Sequence, residues 1–357
     1  MGRRLRDPAG DLGRDHSQRH RRRGRGRQGG RGRAGALPHQ GPPGVTTLVE
    51  RGERRARPSR SLRSHRTRWA FVFLAPSLVL FGLTVFYPMA RALQYSLYHW
   101  PLGSAKKFVG LDNYRRLLVD DGDFRQSVVV TLYFTVLSVL PTILVALFIA
   151  VLLNDARLRL RGLFRTIYFV PVVTSLVAVG YVWRALLEPS FGLVNTALGW
   201  VGISGPGWLA SPDWALEGIV LMTVWRDLGF YMVIFLAGLQ AIPREILDAA
   251  RIDGAGPWRR FRHVTLPLLN PSIMLAGVIG VINGLQLFTQ VYVMTGSAQQ
   301  LPGGPLSSTR SVVIYIVEQT FRPLEMGYGS AAAFLLFVLI MIVTLIQFRL
   351  VQRRFEY

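Results

Sequence analysis

Cysteine is absent from the 357 residues, which excludes disulfide staples, thiol nucleophiles and thiolate zinc sites. Lysine is nearly absent, with only Lys106 and Lys107 present. Neither lies in a G-x-x-x-x-G-K-[ST] context, so the chain carries no Walker A loop and is not itself a P-loop ATPase. Acidic residues are few, 20 against 42 basic ones. The long apolar runs hold no paired carboxylates of the kind that acid–base catalysis uses. Histidine is scarce too: of six, only His99 and His263 lie beyond residue 65. What remains is 50% hydrophobic with a formal net charge of +22.

That charge is unevenly spread. Residues 1–68 hold 20 Arg against five Asp or Glu. Rich in Gly, Pro and Ser and poor in apolar side chains, this segment cannot bury enough surface to offset its ordering entropy, and it reads as a disordered tail. Arg-Gly runs attract phosphates, so nucleic acid is one conceivable partner. A basic flank touching anionic membrane lipid is the plainer reading, and nucleic acid is disfavoured. A translated stretch ahead of the true start is a third. No short apolar core followed by an A-x-A site marks a cleavable signal peptide.

Beyond the tail come long apolar runs. Trp69–Ala90 is 22 residues without a charge, enough to cross a hydrocarbon layer of ~30 Å at ~1.5 Å per residue. Tyr95, Tyr98 and Trp100 read as aromatics at the membrane boundary. Gln126–Leu153 adds 28 uncharged residues. The sequence predicts an all-α integral membrane protein with six transmembrane helices, over about 69–98, 126–153, 162–187, 215–240, 268–294 and 327–348. The six-span domain covers 69–350, and residues 351–357 form a short C-terminal tail. The Gly-, Pro- and Trp-rich stretch 188–214 reads as an external loop.

Two polar features interrupt the spans. Arg226-Asp227 is an ionisable pair inside the fourth run, a functional candidate by default. Measured from Ile242, Arg226 stands ~24 Å along the helix, in the outer third. There it is open to two readings, a snorkelling anchor or a gate. In the fifth run Asn283, Gln286 and Gln290 recur at i, i+3 and i+7, which puts three amides on one helical face. Amides facing lipid would be expensive, so this face should point into the bundle, either toward a hydroxylated solute or as interhelical glue.

The polar stretch Ile242–Pro267 is itself patterned. Ile246, Ala249, Ala250 and Ile252 fall on helical spacing. Asp253-Gly254 reads as a stop and Gly256-Pro257 as a restart. Two short helices meeting at a sharp turn would form a knob suited to docking. Asp248-Ala249-Ala250-Arg251-Ile252-Asp253-Gly254-Ala255, followed by Val264-Thr265-Leu266-Pro267, resembles the EAA loop of bacterial ABC-importer permeases. It departs at its first position, where Asp248 stands for the usual Glu. Phe108-Val-Gly-Leu-Asp-Asn-Tyr114, Arg165-Thr-Ile-Tyr-Phe-Val-Pro171 and Phe191-Gly-Leu-Val-Asn195 are similar to segments of the carbohydrate-uptake branch. So is Thr295-Gly296…Gly303-Gly304-Pro305…Ser308-Thr309, with an insertion.

The resemblance implies a transmembrane permease subunit that carries no cofactor of its own, ATP and Mg being held by partner ATPase subunits. Asp248, Ala249, Ala250, Asp253, Gly254, Ala255, Leu266 and Pro267 would form the cytoplasmic coupling helix pair, residues 241–267, between spans 4 and 5. Implied partners are a second similar permease, two ABC ATPase subunits and an extracytoplasmic solute-binding protein. Basic residues crowd the 154–165 and 241–268 connections and the C-terminus, including Arg349, Arg353 and Arg354. By the positive-inside rule both termini and the knob are expected in the cytoplasm of a cell membrane. A sugar is the expected solute, glycerol phosphate or a polyol the alternative. An ion-coupled transporter is a further rival, with Asp227 as its one candidate carboxylate.

Overall fold

A computed structural model describes residues 60–155, 157–296 and 302–352. Most of the Arg-rich tail, and residues 353–357 with Arg353 and Arg354, lie outside the described residues, as do the expectations placed on them. Arg66–Tyr357 forms one compact unit.

The first helix runs as α1 (Arg60–Phe81), a five-residue π segment (Gly82–Phe86) and α2 (Tyr87–Ser96). A two-residue antiparallel hairpin, β1 (Tyr98–His99) with β2 (Lys107–Phe108), follows. Next come α3 (Asp112–Arg115) and the long α4 (Gly122–Asn154), which is N-capped by the Asp121 carboxylate on Phe124 N–H at 2.8 Å. The chain then builds α5 (Arg161–Val173), α6 (Leu176–Leu186) and α7 (Leu193–Trp200), and after them α8 (Ala215–Ala241). The knob consists of α9 (Arg244–Ile252) and α10 (Pro257–Arg260), leading through a π segment (Phe261–Thr265) to α11 (Leu266–Leu268). Last are α12 (Asn270–Leu285), α13 (Thr289–Thr295), α14 (Val312–Phe321) and α15 (Met326–Gln352).

Among the described residues, four helices are long and apolar enough to cross a membrane, or six if each of two bent pairs counts as one span. The bends depart from the sequence reading. The expected span 162–187 is two helices, α5 and α6, set 98° apart. Pro171 lies in the last turn of α5, and Thr174 and Ser175 adopt extended ψ angles of 145° and 125°. Thr174 Oγ1 donates to the Val170 carbonyl at 2.9 Å, satisfying an acceptor the bend frees. The expected span 268–294 breaks as well. It turns 63° between α11 and α12 and stops again at 286–288 before α13. The second break exposes the Leu287 carbonyl, and Ser311 Oγ donates to it at 2.5 Å.

Helices α4 and α8 pack together at the centre, with α12 against α4 and α5 against α8. At the knob end, Met232, Phe235, Leu269, Ala146 and Ala150 form a core at 0% exposure. Lipid tails are as apolar as these side chains, so close van der Waals fit holds the helices together rather than escape from water. Small residues permit that fit. A Cβ on Gly284 of α12 would stand 2.9 Å from Thr135 Cγ2 of α4, and one on Gly280 would stand 2.9 Å from Val139 Cγ1. The outer helix differs: Phe73 and Leu83 of the first span are 76% and 65% exposed, as suits a surface for lipid or a further subunit.

Candidate functional site

The knob begins at Pro243, whose extended conformation ends the α8 direction and starts α9. It ends in a Schellman cap. Ala255 N–H bonds the Ala250 carbonyl at 3.0 Å, and Gly254 N–H bonds the Arg251 carbonyl at 3.1 Å. Gly254 takes φ +76°, the left-handed value this cap requires and side chains with a Cβ disfavour. Pro257 restarts the helix at its first turn. Trp258 and Phe261 then stack with ring centroids 5.8 Å apart.

Much of this knob is exposed: Ile252 at 87% and Trp258 at 72%. Asp248, Ala249 and Asp253 are exposed, while Ala250, Ala255, Leu266 and Pro267 are half-buried. Asp248 Oδ1 accepts from Arg251 Nη1 at 2.7 Å. Leu247 on the inner face of α9 packs on the core that contains Ile242, Leu239 and Leu269. Leu247 is thus the side chain of α9 that joins the knob to the core at the ends of α8 and α12.

Those two helices and α4 also line a small pocket inside the bundle. Ser138 and Thr142 come from α4, Thr223, Asp227 and Tyr231 from α8, and Asn283 and Gln290 from α12 and α13. Asp227 pairs with Arg226 at 2.6 Å, each about one-fifth exposed. Arg226 does not reach the pocket lining. Both residues lie near the middle of α8, Ala215–Ala241, which follows the span expected over 215–240. Asn283 and Gln286, the C-cap of α12, are both exposed, and Gln286 does not line the pocket. Asn283 and Gln290 still meet at the pocket.

Residues 122–357 match the binding-protein-dependent transport system inner membrane components. The chain belongs to that family. The lactose transport system permease protein LacF of Rhizobium radiobacter is 36% identical over 297 residues, covering 82% of this chain and 97% of that one. The sn-glycerol-3-phosphate transport system permease protein UgpA of Pectobacterium atrosepticum is 31% identical, covering 82% and 97%. A crystal structure of a bacterial ABC transporter involved in import of the acidic polysaccharide alginate shares the fold, with a TM-score of 0.70 at 22% identity over 83% of this chain and 100% of that one.

Several motif residues of this permease prove to be loop staples. Asn113 Nδ2 donates to the Ser96 and Tyr98 carbonyls at 2.8 and 3.0 Å, and the Tyr114 hydroxyl meets Ser96 Oγ at 2.6 Å. Asn195 accepts from Trp208 Nε1 at 2.6 Å and donates to Pro206 O at 3.2 Å. Thr295 Oγ1 accepts from Gly303 N–H at 3.1 Å. Sequence reasoning missed a hydroxyl stripe on α4: Ser127, Thr131, Thr135, Ser138 and Thr142, all buried. Its spacing of four, four, three and four residues was visible in the run 126–153. Each hydroxyl donates back along the helix, as Thr142 does to Ser138 O at 2.6 Å. Thr131 Oγ1 also accepts from Val312 N–H at 2.9 Å, which fixes the start of α14.

Also missed was the cluster at the end of the bundle away from the knob. Asp121 accepts from the hydroxyls of Tyr315 and, at 2.8 Å, Tyr328. Partial burial pushes the Asp121 carboxyl up, but the Tyr315 hydroxyl, the Phe124 N–H and the Tyr328 hydroxyl together hold it below its ordinary value of 3.8. Arg310 joins the cluster through Asp123 at 2.8 Å.

Proposed function

We propose that this permease is one membrane subunit of an ATP-driven importer that moves a sugar or related hydroxylated solute inward by alternating access. It spans the membrane six times, each bent pair counting as one span, with both termini and the knob in the cytoplasm. ATP and Mg are bound by two partner ATPase subunits, and the α9–α10 knob seats in a cleft on one of them. A second, similar permease completes the pathway, and an extracytoplasmic binding protein delivers the solute. The alginate importer of known structure has been crystallised with a periplasmic protein carrying an alginate pentasaccharide, which supports that last partner.

The observation that carries this reading is the mechanical link from knob to pocket. Leu247 on α9 packs against the same core as Tyr231 and Ala276, and Tyr231 lines the pocket. A push on the knob therefore reaches pocket walls on α8 and α12, two states of one packed element biased by a ligand elsewhere. The pocket holds only about 20 Å³, room for a water, so a hydroxylated solute would meet its hydroxyls and amides only in a state where the helices have moved apart. Glycerol phosphate remains the second reading, since UgpA is among the relatives. Against it, the Asp227 carboxylate facing the pocket would repel an anion. An ion-coupled mechanism is not supported: the family is one of binding-protein-dependent systems. Co-expression with the ATPase and binding protein, followed by radiolabelled sugar uptake, tests the assignment. Uptake that persists when the ATPase is inactive would overturn it.

A further inference from the structure

We propose that the groove between α9 and the knob-end termini of α4, α5 and α8 holds an anionic phospholipid. The groove encloses about 1550 Å³. Its lining divides by chemistry. Ile149, Leu153, Phe164, Tyr168 and Leu239 supply one largely apolar wall, and Arg157, Arg244 and Arg260 supply a basic rim. The wall residues belong to the last turns of α4 and α8 and the first turns of α5. The groove therefore straddles the level where the chain leaves hydrocarbon for the headgroup layer.

Charge decides the occupant. Asp248 neutralises Arg251 at 2.7 Å. The Asp155 carboxylate accepts from the Arg157 backbone N–H at 2.9 Å, as a turn does. Among the described residues, no carboxylate pairs with the guanidinium of Arg157, Arg244 or Arg260. Four arginines against two carboxylates, Asp155 and Asp248, leave the lining at a net of +2 beside an apolar wall. A free phosphate would satisfy the rim and leave the wall empty; an apolar helix would do the reverse. A lipid with a phosphate head and acyl chains fills both. Seated there, it would brace α9 against α4 and stiffen the link between knob and bundle. The inference is independent of which solute is carried.

The test is native mass spectrometry of the full-length chain, alone and in its assembled complex, extracted from membranes containing equal phosphatidylglycerol and phosphatidylcholine. Preferential retention of phosphatidylglycerol is expected. Replacing Arg157, Arg244 and Arg260 together by Gln should reduce that preference by roughly fivefold per arginine. The matching triple Lys variant should keep it, because charge is what the rim reads. Soluble glycerophosphate should not displace the lipid; displacement would assign the rim to a free anion and overturn the proposal. Equal retention of the two lipids, an unchanged preference in the Gln variant, or loss in both Gln and Lys variants would overturn it too. So would release of the lipid on assembly, which would give the groove to a protein partner.

Discussion

Asp248 and Arg251 lie one turn apart on α9 and meet at 2.7 Å, with 56% and 61% of their side chains exposed. An exposed pair of this kind contributes only about 0.2–1 kcal/mol. The Asp248 carboxylate is therefore held on the helix surface, yet is cheap to release to a cation in a partner's cleft. Asp248→Asn should leave the unfolding temperature of the isolated chain within a degree or two, since surface changes rarely exceed about 0.5 kcal/mol. It should weaken co-purification of the ATPase. Asp248→Glu, one methylene longer, should hold the ATPase at least as well. Equal ATPase recovery with Asn and wild type would remove Asp248 from the docking surface.

Gly254 carries a different kind of constraint. A Cβ there would meet no atom within 4 Å, so any penalty comes from the backbone at φ +76°. Left-handed geometry costs an ordinary residue about 1–2 kcal/mol. Asn tolerates it and Val does not. Gly254→Asn should retain ATPase association and uptake, whereas Gly254→Val should lose most of both while the chain still inserts. If Val and Asn behave alike, the cap is not what shapes the knob.

At the other end, Asp121 ties α4 to α14 and α15. Its carboxyl sits below the ordinary value because hydroxyl and backbone donors hold the charged form. A depressed carboxyl stabilises the fold above its unfolded value and loses that contribution as pH falls through the folded one. Thermal stability in detergent should be flat near neutrality on this account and decline below about pH 4. Asp121→Asn should be less stable at neutral pH and should show a shallower acid decline. An unchanged acid decline in the variant would show that other carboxylates govern it.

The knob was legible in the sequence because Gly254, Gly256 and Pro257 punctuate it with residues whose backbone roles are narrow. The bends were not. Through 162–187 and 268–294 the polar residues are scattered without a helical period, so hydrophobic periodicity carries no signal about where a helix turns. At the break at 286–288 the freed Leu287 carbonyl is satisfied by a distant partner, Ser311. Nothing local announces it. The alignment of Asn283, Gln286 and Gln290 assumed an unbroken helix, and the break at 286–288 falls between α12 and Gln290. The Asp121 cluster escaped notice because Asp121 and Tyr328 lie 207 residues apart.

Close approach of α12 to α4 gives a sharper mechanical test. Gly284 leaves no room for a methyl, which would come within 2.9 Å of both Thr135 Cγ2 and Oγ1. Overpacking of this sort costs about 1–3 kcal/mol. Gly284→Ala should lower the thermal midpoint of the purified chain. Thr135→Ser, which removes the facing methyl, should recover part of the loss. Contacting residues couple by about 0.5 kcal/mol or more, and strictly additive effects would mean the two helices adjust elsewhere.

Asn283 and Gln286 separate solute contact from general polarity. Asn283 lines the pocket with Asp227 and Tyr231; Gln286 is exposed beyond it at the end of α12. Replacing each by Leu removes an amide and leaves a similar volume. Asn283→Leu should cut uptake of a hydroxylated solute by about threefold to tenfold, because a lost hydrogen bond costs about 0.5–1.5 kcal/mol. Gln286→Leu should leave uptake within about twofold. The same pair, assayed for thermal stability, distinguishes solute binding from helix adhesion. Adhesion predicts that Asn283→Leu lowers stability and uptake together, whereas solute contact predicts that uptake falls while stability holds.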